Sequence, residues 1–178
     1  MGMAIHESQS LLVEMQVCRG DDFLAYLAPL LQKVGGVSGP GWESSGLTRR
    51  VRNVARSLIR VEADEVTYPL HIIHRYRLER AILSGDLAVA DLPGAWRDGM
   101  RDLLGINMPN DRDGCMQDIH WMDGAFGYFP TYTLGAMAAA QIYRAADAAL
   151  PDLSDNLTKG DFGSLMAWLK DNIHSQGC

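Results

Sequence analysis

Ala4-Ile5-His6-Glu7-Ser8-Gln9-Ser10 runs without a break into Leu11-Leu12-Val13-Glu14. Wound at about 100° per residue, Ile5, Leu11, Leu12 and Met15 cover one broad arc, and Val13 and Val17 cover much of the opposite side. The segment therefore reads as a helix packed on most of its faces. Glu7 falls on the same narrow stripe as Leu11, Glu14 and Cys18, which turns its carboxylate towards protein. A buried carboxylate is costly unless it is paired, hydrogen-bonded or bound to a metal. Periodicity alone leaves two readings open: an ion pair with one of the arginines, or a metal or catalytic role.

Outward from this helix, expected over residues 3–19, helical signals dominate the chain. Acidic Asp21 and Asp22 are placed to cap a second helix from about Phe23 to Lys33, with a kink expected at Pro29. Gly35 to Gly41 is a loop by composition. A basic helical pattern follows from Leu47 to Arg56, and then Ser57-Leu58-Ile59-Arg60-Val61, short and partly β-branched, reads as extended. A long helix is expected from Asp64 to Leu83, with Val66, Leu70, Ile73 and Ala81 as its apolar stripe. Pro93 near the start and Gly105 past the end bracket a helix over Leu92–Leu104. Ala-rich Tyr132–Ala149 and then Phe162–Ile173 complete the set. The expected fold is mainly α, with at most a short β hairpin near Ile59 or between Gln117 and Tyr128, in a single helical unit.

At 178 residues, with 47% hydrophobic and 21% charged residues, the chain has the composition of a globular protein. Its net charge of −6 leaves no excess of Lys and Arg to neutralise phosphates, which argues against nucleic-acid binding. No apolar run is long enough to span a bilayer. Cys18, Cys115 and Cys178 are widely spaced and odd in number. They read as free thiols of a cytoplasmic protein rather than a disulfide framework.

Three further stretches join the opening one. Ile59-Arg60-Val61-Glu62-Ala63-Asp64, Gly114-Cys115-Met116-Gln117-Asp118-Ile119-His120-Trp121 and Gly124-Ala125-Phe126-Gly127-Tyr128-Phe129-Pro130 stand in order along the chain. With His6-Glu7-Ser8-Gln9-Ser10, the first two resemble the HES-Q, IRxxAD and GxxQDxHW elements of the M32 zinc carboxypeptidases, the carboxypeptidase Taq type, and the third also resembles that family's sequence. The resemblance implies a helical metallopeptidase scaffold in which Glu7 is the third protein ligand of zinc. The first two ligands would be histidines of an HExxH helix upstream, and no HExxH occurs in these 178 residues. The chain is thus expected to be the C-terminal part of a metallocarboxypeptidase that removes single residues from peptide C-termini. By itself it should be inactive and bind zinc weakly. One departure is Val13-Glu14-Met15, where the family tends towards Trp-Glu-Asn.

Each motif suits a step of such chemistry. Arg60 is placed by the resemblance to hold the substrate's C-terminal carboxylate; the other reading is an Arg paired with a nearby acid. His120 and Tyr128 are candidate donors to the oxyanion, with Tyr132 a competing tyrosine. Gln117 and Asp118 could orient His120 or a zinc ligand, or could cap a turn. His71 and His74 are spaced i, i+3 rather than the i, i+4 of a zincin helix, and are assigned to packing and surface. The rival reading is a non-catalytic helical interaction or dimerisation module, self-associating through exposed apolar surface.

Overall fold

A computed structural model of the chain describes residues 2–177, so Cys178 lies outside the described residues. Eight α-helices follow in order among these residues: α1 (Met3–Leu11), α2 (Asp21–Gly35), α3 (Ser44–Val51), α4 (Tyr68–Ser84), α5 (Leu92–Leu104), α6 (Pro130–Ala149), α7 (Leu153–Thr158) and α8 (Gly163–Asn172). There is no strand among them. The chain divides into two compact units, residues 1–53 with 134–178, and residues 54–133. The boundary falls inside α6.

In the first unit, the opening helix changes character after Leu11 and continues to Val17 as a π-helix. Leu11, Leu12 and Val17 are buried with Ala139 and Ala146 of α6, Leu153 and Leu157 of α7, and Leu165 and Leu169 of α8. Val13 is exposed, so the packing is one-sided at this point. Gly135 lets α6 approach α1: a Cβ there would lie 3.0 Å from Glu7 Cβ and 3.1 Å from the Ala4 carbonyl. Helix α2 starts with Asp21 and Asp22 in its first turn, where they favour the helix dipole. Its N-cap is Gly20, with no side-chain cap. Pro29 sits inside it on an exposed face, and Gly36 in the left-handed conformation ends it.

The second unit is built on α4 and α5. Pro93 near the start of α5 and left-handed Gly105 after its end set that helix where the sequence places it. Trp96, Met100 and Leu104 from α5 pack with Leu78 of α4 and Met108. Helix α4 begins at Tyr68 rather than Asp64, because Asp64 closes the turn before it. Its carboxylate accepts from the Val66 and Thr67 N–H groups at 2.8 and 2.9 Å and from Ala55 N–H at 2.9 Å. Burial pushes this carboxyl up, but the N–H groups of Thr67, Ala55 and Val66 outweigh it and hold it below the usual range.

Two expectations are corrected here. The buried face of α4 is not Val66, Leu70, Ile73 and Ala81. It carries His71, Ile72, His74, Arg75, Leu78 and Glu79, while Val66 and Ile73 are exposed. His74 is buried beside Trp96, ring centroids 4.8 Å apart, and neither histidine lies at the surface. The extended segment at 57–61 instead becomes a loop ending in a 3-10 turn, Arg60–Glu62. Nor is there a hairpin between Gln117 and Tyr128. At 58–60 the Gln117 side chain, not a neighbouring strand, takes up backbone groups, and between Gln117 and Tyr128 local turns do so, with Ala125 N–H bonded to the His120 carbonyl at 2.8 Å and Asp123 N–H to that of Ile119 at 3.0 Å.

Candidate active site

In the unit of residues 54–133, one carboxylate gathers the predicted residues. Asp118 accepts from Arg60 Nε and Nη2 at 3.1 and 2.7 Å and from Arg75 Nε. The remaining donors are also occupied. Arg60 Nη1 bonds Tyr68 Oη at 3.0 Å, Arg75 Nη1 bonds the His71 carbonyl at 3.0 Å, and Arg75 Nη2 bonds Gln117 Oε1 at 2.8 Å. Burial pushes Asp118 up, yet the Arg60 hydrogen bond and both guanidinium charges hold it below the ordinary carboxylate range. Burial pulls Arg75 down to about 10, with Asp118 opposing. Both partners are therefore charged at neutral pH. Aromatic faces complete the cage, with Tyr132 4.9 Å from the Arg60 guanidinium and Trp96 4.6 Å from that of Arg75.

Gln117 joins two loops. Its Oε1 accepts from Arg60 N–H at 2.9 Å, and its Nε2 donates to the Leu58 and Asp113 carbonyls at 3.2 and 2.6 Å. It holds Arg60 and Arg75 in place and makes no bond to His120 among these.

His120 lies beside the cage. Its Nε2 is 3.0 Å from Tyr132 Oη, and its Nδ1, buried without a hydrogen-bond partner, is 3.7 Å from Asp118 Oδ1. Burial lowers its pKa, and the arginine charges reinforce this against the pull of Asp118. The ring is neutral near pH 7, so it can offer a single N–H and cannot act there as a standing cation. Tyr128 packs next to it, its ring centroid 5.6 Å from His120 and 5.3 Å from Tyr132. The Tyr132 ring meets the imidazole edge-on as well, with centroids 5.8 Å apart.

Three residues of this site escaped the sequence reading or stood only second in it: Arg75, Tyr132 and Glu79. Glu79 is buried, and its carboxylate accepts from Trp121 Nε1–H at 2.7 Å and Gly127 N–H at 2.6 Å. It thereby ties both ends of the loop between His120 and Tyr128 to α4. The signal for Arg75 and Glu79 is a polar stripe, His71, Arg75 and Glu79 at i, i+4 and i+8.

Glu7 belongs to the other unit, where it is half-buried on α1, while His6 beside it is exposed. Among the described residues no group of three or more His, Cys, Asp or Glu side chains could hold a metal ion. A protein zinc site needs at least three such ligands. These residues alone do not fit a metal.

The sequence profile of the carboxypeptidase Taq (M32) metallopeptidases matches residues 1–178. The thermostable carboxypeptidase 1 of Thermus thermophilus is 42% identical over 181 aligned positions, covering 99% of this chain and 34% of its own length. Carboxypeptidase 1 of Bacillus subtilis is 41% identical, covering 98% of the chain and 35% of its own. The solved structure of BsuCP superposes with a TM-score of 0.91 at 41% identity, over 97% of this chain and 35% of that one. The motifs from Glu7 to Tyr128 are thus part of a likeness that runs through the whole sequence, and the chain, spanning about a third of the length of these relatives, belongs to the M32 metallopeptidase family.

Proposed function

We propose that this chain is the C-terminal part of a metallocarboxypeptidase that releases single residues from peptides with a free C-terminus. The observation that carries the reading is the convergence of Arg60, Asp118, His120, Tyr128 and Tyr132 in one largely buried cluster that joins an ion pair to aromatic rings. A neutral His120 and the Tyr128 hydroxyl are suited to donate hydrogen bonds to the oxyanion formed at a scissile carbonyl. Tyr132 holds the His120 ring for that task. Arg60 serves the site as a fixed positive charge, clamped by Asp118 and Tyr68, that attracts the substrate carboxylate. Gln117 and Asp118 are positioning residues for Arg60 and His120. Glu7 lends one carboxylate to a divalent metal, zinc by the resemblance, whose other ligands are not among these 178 residues.

The test uses the 178-residue protein itself. Dialysed against zinc, it should retain well under one equivalent, and it should release no C-terminal residue from a blocked dipeptide. Stoichiometric tight zinc, or steady hydrolysis abolished by Glu7→Gln, would mean that the site is complete within these residues and overturn the reading.

A further inference from the structure

Helix α4 carries the Asp118 cluster on its inner face. On its exposed face Tyr76, Arg77, Arg80, Ala81, Ser84 and Asp86, none of them in that cluster, line a cavity of about 320 Å³, at the lower end for a small-molecule pocket. Arg77 and Arg80 stand three residues apart on the helix, where Cβ atoms are about 5–6 Å apart, so both guanidiniums can reach one anion. Arg80 lies over the Tyr76 ring, its guanidinium carbon 5.7 Å from the ring centre. Asp86 is set just past the end of the helix. Left-handed Gly85 and the bond from Leu87 N–H to the Ala81 carbonyl at 3.0 Å turn the chain there, and Ser84 Oγ lies 2.7 Å from Asp86 Oδ2. The Asp86 carboxylate thus adds to the negative end of the α4 dipole. Arg77, Arg80 and Asp86 form no ion pair with one another or with any other described residue. Opposite charges therefore line one cavity without meeting.

A plain anion would satisfy the guanidiniums and be repelled by Asp86, and a plain cation would meet the reverse. A zwitterion gives each lining charge a partner. We infer that the cavity binds a free α-amino acid, its carboxylate held by Arg77 and Arg80 through charge-assisted N–H bonds and its ammonium by Asp86. Such a ligand is also of the product class of the reaction proposed above, but its binding does not rest on that reading.

The 178-residue protein labelled with 15N in its arginines reports on both guanidiniums through their Nε–H signals in NMR, with Arg77→Lys and Arg80→Lys assigning them. Titrations at constant ionic strength compare L-alanine, propionate, L-alaninamide and inorganic phosphate. L-alanine should shift both signals. Propionate, which lacks the ammonium, should bind about tenfold more weakly, the worth of one hydrogen-bonded charge. L-alaninamide, which lacks the carboxylate, should leave both signals in place. Asp86→Asn, at an exposed position, should lower the affinity for L-alanine to that for propionate. The inference is overturned by the absence of shifts with L-alanine, by propionate, phosphate or L-alaninamide binding as tightly as L-alanine, or by an unchanged L-alanine affinity in Asp86→Asn. The ligand series on the unsubstituted protein decides the matter should that variant fail to fold.

Discussion

Replacing Asp118 with Asn keeps the shape of the side chain and removes the one charge that two buried guanidiniums share. Arg75 is 0% exposed at its side chain, Arg60 7% and Asp118 11%. Asn offers a single carbonyl oxygen where two carboxylate oxygens now accept, and its NH2 group would confront an arginine donor. Removing one partner of a buried pair costs about 3–5 kcal/mol, because the remaining charge stays desolvated and uncompensated. Against a typical total of about 5–15 kcal/mol, that is a large fraction. For a chain of this size it lowers Tm by about 6–20 °C. The assay is urea and thermal unfolding followed by far-UV circular dichroism, with Asp98→Asn as the control. The Asp98–Arg101 pair is also close, but both side chains are more than half exposed, and its loss should cost about 0–1 kcal/mol. The pH dependence carries a second readout. Asp118 has a folded pKa depressed below its unfolded value of about 3.9. Its stabilisation is therefore fully present above that value and is lost as pH falls through the folded pKa, so the gap between wild type and Asp118→Asn should close in strong acid. A cost below about 1 kcal/mol at pH 7, equal to that of the exposed control, would refute the claim that Asp118 organises this site.

Three other perturbations test separate parts of the structure. His71 and His74 are buried neutral, their pKa values lowered to about 4 and about 3, chiefly by burial; the unfolded chain binds their protons below about 6.5, so stability should fall as pH drops from there towards 4, and His71→Leu with His74→Leu should flatten that part of the curve in urea titrations. Glu79→Ala strands the Trp121 and Gly127 donors, each worth about 1–3 kcal/mol when left unsatisfied, and hydrogen exchange at the Gly127 amide should accelerate while α8 amides stay protected relative to the new global stability. Gly135→Ala forces a Cβ to within 3.0 Å of Glu7 Cβ and should destabilise by about 1–3 kcal/mol, measured by the same denaturation, whereas Gly94→Ala, which meets nothing within 4 Å, should not.

Where local rules act alone, the sequence is a good guide. Pro93 and Gly105 bracket α5 because a proline fits a first turn and a glycine a left-handed end. The Ala-rich run of α6 is helical as its strong intrinsic propensity predicts. Helix α4 defeats the same reading, since its inward face is polar: Arg75 and Glu79 are buried only because Asp118, Gln117 and the 121–127 loop, some 40 residues on, supply partners. A hydrophobic stripe cannot reveal partners that remote, so Ile73 was expected inside and lies outside. The 57–61 segment has strand-like residues, but its backbone meets the Gln117 side chain instead of another strand. Helix α7 is only six residues long, too short to display a period. Of the site, Arg60, Asp118 and His120 were legible through their motifs, and the structure gathers them. What the motifs did not show is that Arg60 is clamped on Asp118, or that Tyr132 Oη lies 3.0 Å from the imidazole Nε2.

The central claim is that Glu7 and the Asp118–His120 cluster are parts of one metallocarboxypeptidase whose remaining metal ligands lie outside these 178 residues. Reading the genomic DNA immediately upstream of the Met1 codon tests it most directly. An open frame continuous with Met1 and encoding an HExxH segment is the predicted result; an unrelated coding sequence, or a frame closed by a stop codon directly before Met1, would contradict it.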